Sequence, residues 1–306
     1  MTNPALDLSI VIPAFNEAKR LDTALTRIRE HFASPQHGSV SGSPGAAPQN
    51  ASVGASPGAR PRSTALLEII VIDDGSSDGT ARVAREHAQT ISSLRVLSNK
   101  RNRGKGYSVR RGMLEARGRI VLFTDADLSS PIDESGRLLA AIADGNDVAI
   151  GSRAIDRSLI EVHQSRFREV AGIIFNRFVR LITGLPIEDT QCGFKAFRMP
   201  ECRVIFEQQR IAGFGFDPEI LFLAKRHGLR VSEVPVRWSH DPATKIHMIH
   251  DSARMLRDLF RVRWNWALGR YPRRRAAVGG SVSETPGSMP RRKSVLGTPD
   301  EINPKR

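Results

Sequence analysis

The segment Arg119-Ile120-Val121-Leu122-Phe123-Thr124-Asp125-Ala126-Asp127 is a short apolar run that ends in two carboxylates one residue apart. An unbroken apolar run of this length, bounded by polar residues, suits a strand buried on both faces of a parallel sheet. The C-terminal ends of such strands face the ligand crevice of open α/β folds. In extended backbone Asp125 and Asp127 point to the same side, where one divalent cation could link them to a diphosphate. Asp is also common where strands end in solvated turns, so the surrounding sequence decides between these meanings.

That surrounding sequence repeats the pattern. Leu8 to Ile12, closed by Pro13, and Glu68 to Ile72, closed by Asp73-Asp74-Gly75, are two more aliphatic runs with polar ends. Ala18 to Phe32 and Thr80 to Ala88 follow them with apolar residues at helical spacing, the second behind the start signal Ser76-Ser77-Asp78. Leu94 to Leu97, Arg119 to Phe123 and Asp147 to Ile150 continue the strands, and Lys105 to Ala116 and Asp133 to Ala143 the helices. The βαβ rhythm predicts the α/β class, an open and mostly parallel sheet flanked by helices. Ile12-Pro13-Ala14-Phe15-Asn16-Glu17 and the stretch from Val71 to Thr80 then add carboxylates to the rim that carries Asp125 and Asp127.

The 306 residues, 40% of them hydrophobic, suffice for one catalytic domain with appendages. Residues 1–271 are read as that domain. It is interrupted at 33–64 by a Ser/Gly/Pro/Ala stretch with five prolines and no Leu, Ile, Met or aromatic residue, expected to be disordered. Residues 272–306 are read as a disordered basic tail. The net charge is +14, and residues 251–306 hold 13 Lys/Arg against five Asp/Glu, so much of the excess is C-terminal.

Such a charge calls for an anionic partner. Arg273-Arg274-Arg275 and Arg291-Arg292-Lys293 would suit nucleic acid, but that reading leaves the acidic rim without a purpose, and no nucleic-acid partner is expected. Cys192 and Cys202 are too few for a disulfide framework or a zinc site. His240, His247 and His250 match no zinc spacing and are read as loop or surface residues. No secretory signal and no uninterrupted apolar run of about 18 residues is visible, so a cytoplasmic protein is expected.

Together with Asn102-Arg103-Gly104-Lys105-Gly106, these segments resemble the inverting glycosyltransferases of family 2 with a GT-A (Rossmann-like) fold, Asp125-Ala126-Asp127 standing for their metal motif. Gly151-Ser152-Arg153, Glu188-Asp189-Thr190-Gln191-Cys192-Gly193-Phe194-Lys195, Gly215-Phe216-Asp217-Pro218-Glu219, Glu233-Val234-Pro235-Val236-Arg237-Trp238 and Lys245-Ile246 resemble more narrowly the dolichyl-phosphate glucosyltransferase branch. Outside the insertion, the similarity runs from about Leu8 to Tyr271.

The resemblance implies a UDP-sugar donor, with glucose as the sugar, contacted by Pro13, Ala14, Glu17, Asp73, Asp74, Lys105, Asp125 and Ala126. It implies Mg2+ or Mn2+ on Asp125 and Asp127, catalytic roles for Asp125, Asp127 and Asp189, and a polyprenyl phosphate acceptor held by Arg153, Arg166 and Arg168. Related polyprenyl-phosphate mannosyltransferases often carry Gln two positions after the second Asp; here that position is Ser129, which disfavours mannose.

Two acceptor classes give Asp189 different roles. A lipid phosphate oxygen is already anionic at neutral pH and needs only positioning by cations. A hydroxyl on a soluble or protein acceptor needs a carboxylate to take its proton, and the resemblance puts Asp189 in the segment that supplies it. Val170 to Leu185, with Ile173, Ile174, Phe175, Phe178, Val179 and Ile182, reads as an amphipathic helix, as does Met255 to Leu268 with Trp264 and Trp266. With arginines beside them, both suit helices lying on anionic lipid; both equally suit packing on a core. A lipid acceptor would place the enzyme peripherally on the inner face of the membrane.

Overall fold

The computed structural model describes residues 7–33, 67–162, 166–240 and 248–272. The basic tail beyond Pro272, Lys245-Ile246, His247 and all but the first residue of the predicted insertion lie outside the described residues; of Arg166, Arg168 and His250 only the helical backbone is described.

The first half alternates as the aliphatic runs predict: β1 (Leu8–Ala14), α1 (Ala18–Ala33), β2 (Leu67–Asp73), α2 (Thr80–Thr90), β3 (Leu94–Ser98), α3 (Lys105–Glu115), β4 (Ile120–Thr124), α4 (Ser135–Ala143) and β5 (Val148–Ser152). The second half continues with β6 (Ile160–Val162), α5 (Arg166–Thr183), β7 (Phe194–Arg198), α6 (Arg203–Gln208), α7 (Phe216–Arg226), β8 (Val231–Pro235), β9 (Trp238–Ser239) and α8 (Met248–Ala267).

Seven strands form one sheet in the order β3-β2-β1-β4-β7-β5-β8, and β6 pairs with β9 in a small second sheet. All pairings are parallel except those of β7, which runs antiparallel between β4 and β5. Because side chains alternate along a strand, each strand feeds two cores. Ile10 and Ile12 of β1, Ile69 and Val71 of β2 and Leu122 of β4 meet Leu21, Leu25 and Ile28 of α1 and Leu138 and Ile142 of α4. On the other face Val11, Ile70, Ile72, Val121 and Phe123 meet Val109 and Met113 of α3, Phe206 of α6 and the wholly buried run from Ile220 to Ala224 of α7.

The two amphipathic helices pack against each other, with some of their apolar residues buried and others exposed. Val179 of α5 and Leu259 and Val262 of α8 are buried, and Trp266 meets Phe222 of α7 edge-on at 5.6 Å. Val170, Ile173, Ile174, Phe178 and Leu181 of α5, with Phe260 and Trp264 of α8 and Leu268 just beyond it, are exposed, Leu181 at 80% and Trp264 at 64%. No helix among the described residues is long and apolar enough to cross a membrane.

Candidate active site

The β4 end brings its two carboxylates together by a turn rather than by continued strand alternation. The strand stops at Thr124; the Leu128 amide donates to the Asp125 carbonyl at 3.2 Å, and Leu128 takes a φ of 47°. Asp127 Oδ1 accepts from the Ser129 amide at 3.0 Å. Burial and then the neighbouring Asp125 charge push the Asp127 carboxyl above the usual Asp value. Both carboxylates line a cleft with Lys105, Ser129, Arg153, Gln191, Gly193, Phe214, Asp217, Trp238 and His240.

Antiparallel β7 fixes Asp125 from the side. The Asp125 amide donates to the Gly193 carbonyl at 3.2 Å, and a Cβ built on Gly193 would overlap the Asp125 carboxylate. Glycine is required there by close approach, not by backbone angle. Two residues on, Lys195 is fully buried, and its ammonium bonds Asp217 at 2.5 Å beneath the cleft.

Lys105 Nζ lies 2.7 Å from Asp125 Oδ1 and 2.9 Å from Oδ2. Burial works against its charge, but Asp125, Asp217 and Asp127 outweigh that and hold its pKa above the usual lysine value. The loop that presents Lys105 is held by Asp74, which accepts from Asn99 Nδ2 at 2.7 Å and from the amides of Arg103 and Gly104 at 2.9 and 2.8 Å. Gly104 has a φ of 100° and packs against the Ala212 carbonyl.

Across the cleft Arg153 is clamped by Asp189. Oδ2 accepts from the Arg153 amide and Nε at 3.0 and 2.6 Å, and Oδ1 from Nη2 at 2.8 Å. Burial alone would raise the Asp189 pKa, but the Arg153 guanidinium and its hydrogen bonds hold it below the usual carboxylate range. Glu233 of β8 secures the same loop by accepting from the amides of Glu188 and Asp189 at 2.8 and 2.9 Å. Asn176, which interrupts the apolar run of α5, donates to the Glu188 carbonyl and accepts from Thr190 Oγ1 at 3.1 Å. The Trp238 ring lies 5.2 Å from Arg153 Cζ.

The sequence-predicted residues thus fall into separate places. Asp125, Asp127, Lys105 and Arg153 share the cleft, with Asp189 buried behind Arg153. Ala126 is buried under the turn. Pro13, Ala14 and Glu17 stand at the end of β1, next to β4, and Asp73 at the end of β2 on its other side, all off the walls of the cleft. Asp73 Oδ1 accepts from the Ser76 amide at 3.1 Å, and Glu17 pairs with Arg20 at 2.9 Å. Asp74 is 3% exposed and holds the loop before α3 through its bonds to Asn99, Arg103 and Gly104.

Gln191, Phe214, Asp217 and Trp238 were not singled out from the sequence as site residues, and His240 was read as an ordinary loop or surface residue. His240 lines the cleft because its amide donates to the Val162 carbonyl at 3.1 Å and the Ser239 amide to the Ser129 carbonyl at 2.8 Å. Pairing between distant segments brought it there, and no local sequence signal encodes that.

Two oxygen-donor carboxylates in one cleft suit Mg2+ or Mn2+, which accept carboxylate, water and phosphate oxygens together. Among the described residues no group of three or more His, Cys, Asp or Glu side chains could hold an ion alone. A cation here would be held by Asp125 and Asp127.

A family model described as "Glycosyl transferase family 2" matches residues 58–202. The dolichyl-phosphate beta-glucosyltransferase of Drosophila melanogaster is 33% identical over 277 residues, covering 88% of this chain and 78% of the relative. That of Saccharomyces cerevisiae is 31% identical over 281 residues, covering 86% and 76%. Among solved structures, mannosyl-3-phosphoglycerate synthase from Rubrobacter xylanophilus superposes with a TM-score of 0.57 at 21% identity, covering 89% of this chain and 78% of that one. Glucosyl-3-phosphoglycerate synthase from Mycobacterium tuberculosis, bound to phosphoglyceric acid, gives 0.55 at 19% identity, covering 84% and 80%. The two structural likenesses agree on a GT-A fold. On these relatives the chain is a glycosyltransferase that belongs to family 2, in its dolichyl-phosphate beta-glucosyltransferase branch.

Proposed function

We propose that this enzyme transfers glucose from UDP-glucose to the phosphate of dolichyl phosphate or another polyprenyl phosphate, inverting the anomeric centre. The observation that carries the reading is Arg153, clamped by Asp189 and opening on the cleft that holds Asp125 and Asp127. A phosphate oxygen of the acceptor attacks the anomeric carbon, the bond to UDP breaks, and no proton need be removed from the nucleophile. Arg153 offers a fixed guanidinium to that phosphate; Arg166 and Arg168 are further acceptor candidates at the start of α5.

Asp125 and Asp127 would hold Mg2+ or Mn2+, which when bound offsets charge on the departing diphosphate. Lys105, paired with Asp125, supplies a second positive charge on the donor side. Pro13, Ala14, Glu17 and Asp73 line the adjoining rim for the nucleoside. Asp189 is ill suited to act as a general base, because its oxygens are engaged by Arg153 and its pKa is lowered. That disfavours a hydroxyl acceptor.

The exposed apolar residues of α5 and α8 suit peripheral contact with an anionic lipid surface, with Arg177, Arg180, Arg257 and Arg261 exposed on the same helices. We place the enzyme at the cytoplasmic face, where nucleotide sugars are available. The catalytic unit spans residues 1–271, with 33–64 and 272–306 as appendages to it.

The test is transfer of radiolabel from UDP-glucose into organic-extractable lipid with added polyprenyl phosphate, with and without EDTA, beside Asp127→Ala. Label that vanishes with EDTA, returns with Mg2+ or Mn2+ and fails in Asp127→Ala is the expected result. Label reaching only a water-soluble acceptor would overturn the lipid-phosphate reading.

A further inference from the structure

Residues 189–193 connect the two sides of the cleft. At one end Asp189 holds Arg153 through three hydrogen bonds. At the other the Gly193 carbonyl accepts from the Asp125 amide, and the absent Gly193 side chain leaves room for the Asp125 carboxylate. Gln191 lies midway, two residues from each. Its amide N–H donates to Asp189 Oδ1 at 3.2 Å, and its side chain lines the cleft.

Gln191 Nε2 is buried and has no hydrogen-bond partner among the described residues. A buried amide donor left unpaired is costly, and native chains pair the large majority of such groups. The carboxylates around the cleft already have partners of their own. Asp189 is engaged by Arg153 and by the Gln191 main chain, Asp125 is engaged by Lys105, and Asp217 by Lys195. An oxygen from a ligand in the cleft would complete the set.

The side-chain amide is a pure donor at Nε2 and lines the same cleft as Arg153, whose Nε and Nη2 are turned to Asp189. N–H donors from Arg153 and Gln191 in one cleft suit an oxygen that carries negative charge better than a hydroxyl that must also donate. Resting on the reading that the acceptor is a phosphate, we infer that the Gln191 carboxamide donates a hydrogen bond to the acceptor's phosphate oxygen, positioning it between Arg153 and the sugar held at Asp125 and Asp127. Gln191 is then an acceptor-binding residue, distinct from the nucleoside-side residues at the ends of β1 and β2. A glutamate in its place would present like charge to the phosphate; a methionine would keep the shape and remove the donor.

The experiment compares the full-length wild type with Gln191→Met and Gln191→Glu in direct binding, by titrating a short polyprenyl phosphate in the presence of UDP and the divalent cation, and separately by titrating UDP-glucose. The expected result is an acceptor Kd raised about tenfold to a hundredfold in Gln191→Met and further in Gln191→Glu, with the UDP-glucose Kd within about twofold of wild type and an unchanged thermal midpoint. Inorganic phosphate competes weakly with the lipid in the wild type and more weakly still in Gln191→Met if the headgroup alone is read. If it does not compete while lipid binding still depends on Gln191, the contact belongs to the lipid-bound phosphate. An unchanged acceptor Kd in both variants, or a loss confined to UDP-glucose, overturns the inference. Because the readout is binding, a wild type that binds polyprenyl phosphate but transfers no glucose would sink the proposed reaction and leave this contact standing.

Discussion

Two strand ends in this chain carry a pair of aspartates, and they do opposite things. At the end of β2, Asp74 is enclosed by the chain, accepting from Asn99, Arg103 and Gly104, while Asp73 accepts from the Ser76 amide. At the end of β4, Asp125 and Asp127 face a cleft, and Asp127 is pushed toward protonation by burial and by its neighbour. The difference lies in the backbone just beyond each pair. Gly75, at a φ of 73°, turns the β2 end back on itself, and the loop before α3 adds its own amides, so N–H donors converge on Asp73 and Asp74. The β4 end turns only at Leu128, after both carboxylates have passed into the cleft. At the β2 end Asp74 is enclosed by the loop before α3, whereas at the β4 end both carboxylates line the cleft.

The largest expected effect separates these pairs. Asp127→Ala should lower glucose transfer on the order of 10³-fold while leaving the thermal midpoint unchanged or raised, since a like-charge contact is relieved. Asp74→Ala should instead destabilise by about 3 kcal/mol, visible as a lower denaturation midpoint, with activity per folded molecule reduced far less. If Asp74→Ala folds normally and abolishes UDP-glucose binding, the contrast is wrong.

Gly193→Ala comes next. The added methyl would displace Asp125, and a shift of about 1 Å in such a group costs on the order of 100-fold in rate. Activity should fall by that amount with stability little changed, and a rate near wild type would show that β7 does not fix Asp125.

Asp189→Asn sharpens the comparison, because Asp189 resembles Asp74 in being consumed by the chain, yet through a cationic side chain. The acceptor KM should rise about tenfold, with the UDP-glucose KM unchanged. Asp189 has a folded-state pKa below its unfolded value, so it contributes stability above about pH 4, and that contribution is lost as pH falls through its depressed folded value. The wild-type thermal midpoint should therefore drop on acidification below that range, and the Asp189→Asn curve should be flatter there.

The smallest effect concerns the surface. Leu181→Asp combined with Trp264→Asp should leave folding within about 0.5 kcal/mol of wild type yet weaken co-sedimentation with anionic phospholipid vesicles about tenfold. Unchanged sedimentation would remove these helices from the membrane contact.

The strands, the helices between them and the β4 carboxylates were legible in sequence because each is a local pattern: an aliphatic run, a helical period, a polar stop. The antiparallel direction of β7 was not, since Phe194 to Arg198 carries no signal for which neighbours it joins. The partners of Asp74 and Asp189 were equally hidden, because a carboxylate's identity does not say whether an amide or a guanidinium will reach it. The cleft positions of Trp238 and His240 depend on β9 pairing with β6, nearly eighty residues away.

The reversed strand β7 has a consequence for how such an enzyme can change over evolutionary time. Residues after a parallel strand and residues before an antiparallel one arrive at the same rim, so the chain leaves the cleft at Arg153 and re-enters it at Asp189. Everything between, including α5 with its exposed apolar face, is an excursion with both ends anchored at the point of reaction. Such a loop-out can be lengthened, shortened or rewritten without disturbing β1, β2 or β4, so a lineage could exchange its acceptor while keeping its donor apparatus intact.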